Sequence, residues 1–334
     1  MKLFPASAVA AAVLVLASAS APQAYAQSAP SMAAPAAAGA AATAAPAPRA
    51  ARQAASAGQP AAGAAQGARI VAAHPVVLGL ARALAEGSQI EIASAAPAKL
   101  PYSRHPSYFS GRGAAALESL ALKSDAVIGL RSIWPQDPLY PLARRANIRV
   151  IEIDAAQPID GALPGLALQS GDDVSSYPWL DSSNMGRMAD IIAADLSRLA
   201  PGAEAALARN LARMRQELVS MAAQAQSALA GVDNVSVALL SDRLDYLVNG
   251  LSLEPALRDT RPEAQWNDES VQAYVDSLKA EDVAAVLHHR EPAPAMRAAI
   301  EAAGVALVVV DADAADPVAQ LRLTLRDVVK SLAS

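Results

Sequence analysis

The sequence predicts an α/β chain of two lobes, each built on a parallel-type sheet and joined by a long, rigid interlobe helix. Three observations carry this reading. From Arg69 onward, short β-branched runs alternate with amphipathic stretches, as in βαβ units. The alternation occurs twice along the chain. Between the two sets lies a long helical block with one apolar stripe.

The elements follow in order. Lys2, the unbroken apolar run Ala8–Ala17 and the small-x-small triplet Ala24-Tyr25-Ala26 read as a secretory signal peptide over 1–26. The run is shorter than the roughly 20 residues of a spanning helix, so no membrane span is expected after cleavage. Residues 27–68 are nearly all Ala, Pro, Gly, Ser and Gln, with Arg49 and Arg52 as charges and Met32 as the large apolar residue. Such a segment cannot bury enough surface to offset its ordering entropy, and it reads as a disordered linker. The N-terminal lobe, 69–200, has strands expected at 69–73, 89–94, 125–130 and 148–153, with helices at 76–86, 114–122 and 136–145.

A helix over about 184–199 should end at Pro201. The connecting segment 201–231 then holds a helix over about 203–230, stopped by Gly231. Leu207, Leu211, Met214, Leu218, Met221 and Leu229 share one face of it at helical spacing. The C-terminal lobe, 232–334, has strands expected at 235–240, 283–287 and 305–310, with helices at 242–248, 269–279, 293–302 and 315–331.

Composition excludes several classes. There is no cysteine, hence no disulfide, thiolate metal site, cysteine nucleophile or lipid attachment at the cleavage point. Loss of Lys2 with the leader leaves 26 of the 27 Lys and Arg against 32 Asp and Glu, a balance of −6. That argues against nucleic acid or anionic lipid as partner. No GxSxG, P-loop, paired-His helix or strand-following GxGxxG is present, so no enzyme is expected.

In open parallel sheets, ligands bind at the carboxyl ends of the strands. His74 follows the first expected strand and His105 lies in the loop after the second. His288 and His289 follow the strand at 283–287, and Asp311 follows the strand at 305–310. All four histidines and one carboxylate therefore fall on the side where two facing sheets would form a cleft. Imidazole and carboxylate together suit Zn²⁺ or Mn²⁺. Neighbouring residues on a strand point to opposite faces, so one of His288 and His289 should face a shared site.

Tyr177-Pro178-Trp179-Leu180-Asp181-Ser182-Ser183-Asn184 resembles the WLDPxN segment of zinc- and manganese-type periplasmic solute-binding proteins of ABC transporters, the metal-binding cluster A-I family. Ser241-Asp242-Arg243-Leu244-Asp245-Tyr246-Leu247 with Gly250-Leu251 is similar to that family's HDAFGYF…GL segment, and Ala285 through Asp311 to its strand–helix–strand–Asp ending. The order holds from Arg69 to the C-terminus. The resemblance implies a periplasmic monomer that docks on an inner-membrane permease, with a divalent metal cargo held between lobes by three His and one acid. His105 stands at the first ligand position, Tyr177 at the second, Ser241 at the third and Asp311 at the acid. His288 or His289 falls where manganese-type members place Glu. The ligand set is thus degenerate, and two readings stay open. Either His105, Tyr177, Asp311 and one of His288 or His289 form a rebuilt metal site, with His74, Ser241 and Asp242 lining the cleft, or the fold holds a metal chelate, another small solute or a protein partner.

Overall fold

The computed structural model describes residues 67–161, 163–168 and 177–333. The signal peptide and nearly all of the linker expected at 27–68 lie outside them. Sheet one contains β1 (Arg69–Ala72), β2 (Glu91–Ser94), β3 (Ala126–Gly129) and β4 (Ile151–Asp154), all parallel, in the order β2-β1-β3-β4. Sheet two repeats this with β5 (Ser236–Leu239), β6 (Glu254–Arg258), β7 (Ala285–His288) and β8 (Ala306–Val309), in the order β6-β5-β7-β8. The central strands are almost continuously apolar because helices cover both faces, as a parallel sheet requires.

The helices are α1 (Pro75–Ala85), α2 (His105–Phe109), α3 (Ala114–Ala121), α4 (Leu139–Ala146), α5 (Ser182–Leu199), α6 (Glu204–Leu229), α7 (Asp245–Gly250), α8 (Asp268–Ala280), α9 (Pro294–Ala302) and α10 (Pro317–Leu332). Local chemistry sets their starts. Pro75 opens α1 where its missing N–H costs nothing. The Asp181 carboxylate accepts the Asn184 N–H at 2.8 Å to cap α5, and Asn267 with Ser270 forms a capping box on α8.

At about 1.5 Å per residue, the 26 residues of α6 span about 39 Å. The expected stripe is buried at Leu207, Met214, Leu218, Met221 and Leu229, with Leu211 half-buried. Side chains fasten α6 to its neighbours. Asn210 donates to the carbonyls of Leu84 and Glu86 at the end of α1, both at 2.8 Å. Arg215 holds Asp190 of α5 at 2.6 Å, and Glu217 pairs with Arg322 of α10. One core runs unbroken through the inner faces of both sheets, α1, α5, α6 and α10, while separate smaller cores cover each sheet's outer face. Among the described residues, no helix is long and apolar enough to cross a membrane.

Three elements differ from expectation, the first being α2, which forms where a loop was expected around His105. β6 was not expected because Pro255 lies inside it; three of its five residues are exposed, which fits an edge strand paired with a register shift. The stretch expected as one helix at 242–248 is a 3₁₀ turn, Asp242–Leu244, followed by α7.

Candidate functional site

The carboxyl edges of both sheets bring most of the expected residues together. His74 follows β1 and leads into α1, with its ring buried among Tyr102, Trp134 and Trp179 at centroid distances of 5.3, 5.1 and 4.9 Å. His105 begins α2 and is buried against Tyr102 and Phe109, at 5.0 and 5.6 Å. None of the four ring nitrogens of these two histidines makes a well-formed hydrogen bond among the described residues. Burial, with the neighbouring His74, pushes His105 down to about 4, so its imidazole is neutral at physiological pH.

The acid beside them is Asp313. Its Oδ1 lies 3.5 Å from His74 Nε2, a charge contact longer than a good hydrogen bond. Burial alone would raise its carboxyl, but His74, Arg243 and His289 together hold it below the ordinary carboxylate range. Asp311, the acid expected from sequence, is exposed instead, and its Oδ1 accepts the Asp313 N–H at 3.1 Å. The reason is local: Asp311 begins the turn after β8 and caps it, which directs the residue two positions later inward. Trp179 fixes that turn from across the molecule, donating its indole N–H to the Ala312 carbonyl at 2.7 Å.

Tyr177 is buried beside Trp134 and Trp179, at 5.6 and 4.9 Å, and burial pushes its hydroxyl up to about 12. Arg243 lies over its ring, 4.9 Å from the centroid. Sequence reasoning passed over Arg243. Its signal was a lone cation two residues past Ser241, at the carboxyl edge of β5. Among the described residues its guanidinium has no ion-pair or hydrogen-bond partner, and its field reaches Tyr177, His288, His289 and Asp313.

The two adjacent histidines divide. His289 Nδ1 lies 2.7 Å from the Ser241 hydroxyl. Burial and Arg243 lower it to about 3, against an opposing pull from Asp313. His288 stands perpendicular to it at 4.7 Å, is lowered to about 4 by burial and Arg290, and lines, together with His289 and Ser241, a cavity of about 180 Å³ within the C-terminal lobe. His289 is therefore the histidine associated with Ser241, Arg243 and Asp313. Asp242 is exposed and also lines that cavity. Among the described residues, no three His, Asp or Glu are already placed to hold a metal ion. His74, His105 and Asp313 offer three donors that would have to draw together.

The two segments quoted for the resemblance meet in space. A Cβ on Gly250 would lie 2.6 Å from Asp181 Oδ2, so the end of α7 packs directly on the cap of α5.

No curated protein matches the chain in sequence. Solved structures do match in fold. The crystal structure of ZnuA is 18% identical over 80% of this chain and 99% of its own, with a TM-score of 0.60. FpvC from Pseudomonas aeruginosa in complex with Mn²⁺ is 19% identical over 80% and 98%, at 0.61. Zn(II)-bound AdcA from Streptococcus pneumoniae is 15% identical over 80% and 58%, at 0.63. The sequence profile described as "zinc-uptake complex component A, periplasmic" matches residues 139–326, more than half the chain. The chain therefore belongs to the ZnuA family.

Proposed function

We propose that this protein is the substrate-binding component of an ABC importer, exported to the periplasm and presenting its cargo to an inner-membrane permease. The cargo is a divalent metal of the zinc or manganese class, captured where the carboxyl edges of the two sheets meet. One observation carries the reading: two buried imidazoles, His74 and His105, whose nitrogens lack a well-formed hydrogen bond among the described residues, beside the ionised Asp313. Neutral imidazole and carboxylate are the forms that ligate such ions. Asp313 acts electrostatically on both His289 and Tyr177, which makes these two the next candidates to complete the set. Binding, not turnover, is the activity.

Arg243 favours a second reading. An unpaired cation beside the donors opposes a bare dication, and it would favour the same ion carried as an anionic chelate, or another anionic solute. Equilibrium dialysis of stripped protein against Zn²⁺ or Mn²⁺, each with and without citrate, distinguishes the two. Asp313→Asn should weaken metal uptake at least tenfold and Asp311→Asn should leave it within twofold, a difference of about 1 kcal/mol or more. If neither metal nor metal citrate is retained by folded protein, the capture reading fails and a protein-interaction module takes its place.

A further inference from the structure

The cavity of about 180 Å³ in the C-terminal lobe belongs to none of the machinery described above, although it touches it at Ser241 and His289. Its walls join the carboxyl ends of β5 and β7 to the starts of α8 and α9. Trp266, Val271, Pro262 and Met296 give it an apolar body.

Its polar groups are unevenly committed. Arg261 is held by Asp259 at 2.6 Å and lies over Trp266. Arg290 faces Glu263 at 3.5 Å. Asp268 sits in the first turn of α8, where the helix dipole favours an acid, and Asp242 is exposed. Two kinds of donor are left over. The first turn of α9 has no side-chain cap, because Ala293 occupies the capping position, and Ala295 and Met296 of that turn line the cavity. His288 also lines it, more than nine-tenths buried, with an Nδ1 that has no partner among the described residues. Nδ1 is closed off from solvent, so Nε2 is the ring nitrogen a cavity ligand can reach, and it too has no hydrogen-bond partner among the described residues.

We propose that this cavity is a second binding site, for a small organic acid with a planar apolar body. The carboxylate accepts hydrogen bonds from the uncapped N–H groups of α9 and from the His288 ring, and the body rests against Trp266 and Met296. A helix N-terminus supplies both the donors and the favourable field for such an anion. Because His288 and His289 are in ring contact, an occupied cavity touches the cargo site through one shared pair of side chains.

Benzoate is the probe, with benzamide as its uncharged counterpart. Tryptophan emission of the full mature chain reports occupancy, and Trp266→Phe identifies which of the three tryptophans responds. Benzoate should give saturable quenching that Trp266→Phe abolishes. Benzamide should bind at least about tenfold more weakly, since it lacks the charge that the helix terminus favours. His288→Ala should weaken benzoate at least tenfold, and Ala295→Asp, which places a tethered carboxylate at the same helix start, should abolish binding. Circular dichroism melts establish that each variant is folded. An absence of saturable quenching in the parent, equal binding of benzamide, or unaltered affinity in folded His288→Ala each overturns the proposal.

Discussion

Replacing Trp179 with phenylalanine tests how the segment that precedes α5 positions the acid that follows β8. The indole N–H donates to the Ala312 carbonyl at 2.7 Å, and both partners are buried. The substitution removes the donor and strands that carbonyl, a loss of about 1–3 kcal/mol. The smaller ring also leaves unfilled space, which adds about 1–2 kcal/mol, a fraction of the roughly 3–5 kcal/mol of a complete Trp→Ala truncation. A total of about 2–5 kcal/mol, at about 2–4 °C per kcal/mol for a chain of this size, lowers the melting temperature by about 4–20 °C. Urea denaturation followed by circular dichroism measures the first figure and calorimetry the second. The change also loosens the turn that carries Asp313. Asp313→Asn should therefore weaken metal uptake less in the Trp179→Phe background than in the parent, a coupling visible in a double-mutant cycle. A stability loss under about 0.5 kcal/mol, or strictly additive effects on uptake, would refute this positioning role.

Two further outcomes follow from charge and from packing. His105, His288 and His289 are lowered to about 4, 4 and 3, mainly by burial, whereas the unfolded chain protonates them near the ordinary value of about 6.5. As pH falls below that value, the unfolded state takes up protons that the native state refuses. Their contribution is complete above about pH 6.5 and is lost progressively down to about pH 3–4, so urea midpoints should fall steadily between pH 7 and pH 4.5. A flat profile would contradict the burial of these rings. Gly250→Ala drives a methyl group to 2.6 Å from Asp181 Oδ2 and disturbs the cap of α5. A loss of about 1–3 kcal/mol is expected in urea melts, and a neutral result would mean that α7 shifts freely.

Most of the architecture was legible because it rests on local periodicity. The strands at 69–73, 125–130 and 283–287 and the stripe on α6 announce themselves through apolar spacing alone. β6 escaped because its ladder depends on β5 accepting a shifted register beside Pro255, a fact of pairing and not of pattern. The site was legible only in outline. The carboxyl-edge rule pointed to the four histidines and to Asp311, and the resemblance to Ser241, yet Asp311 and Asp313 are two residues apart in one turn. The Asp311 cap turns Asp313 inward, and the turn is anchored by the indole of Trp179, 133 positions away from its hydrogen-bond partner, which no local pattern announces. Arg243 was invisible for a similar reason: its contact, the face of Tyr177, comes from a segment far earlier in the chain, before α5.

The core that runs without interruption from one sheet to the other through α1, α5, α6 and α10 has a consequence for selectivity. Jaws that swing wide can mould themselves to several guests. Here the hinge region is itself solid, so only rim side chains and turns are free to adjust. Under the proposed capture role, discrimination then falls on the size and charge set by that solid framework, and not on a wide closure of the two sheets.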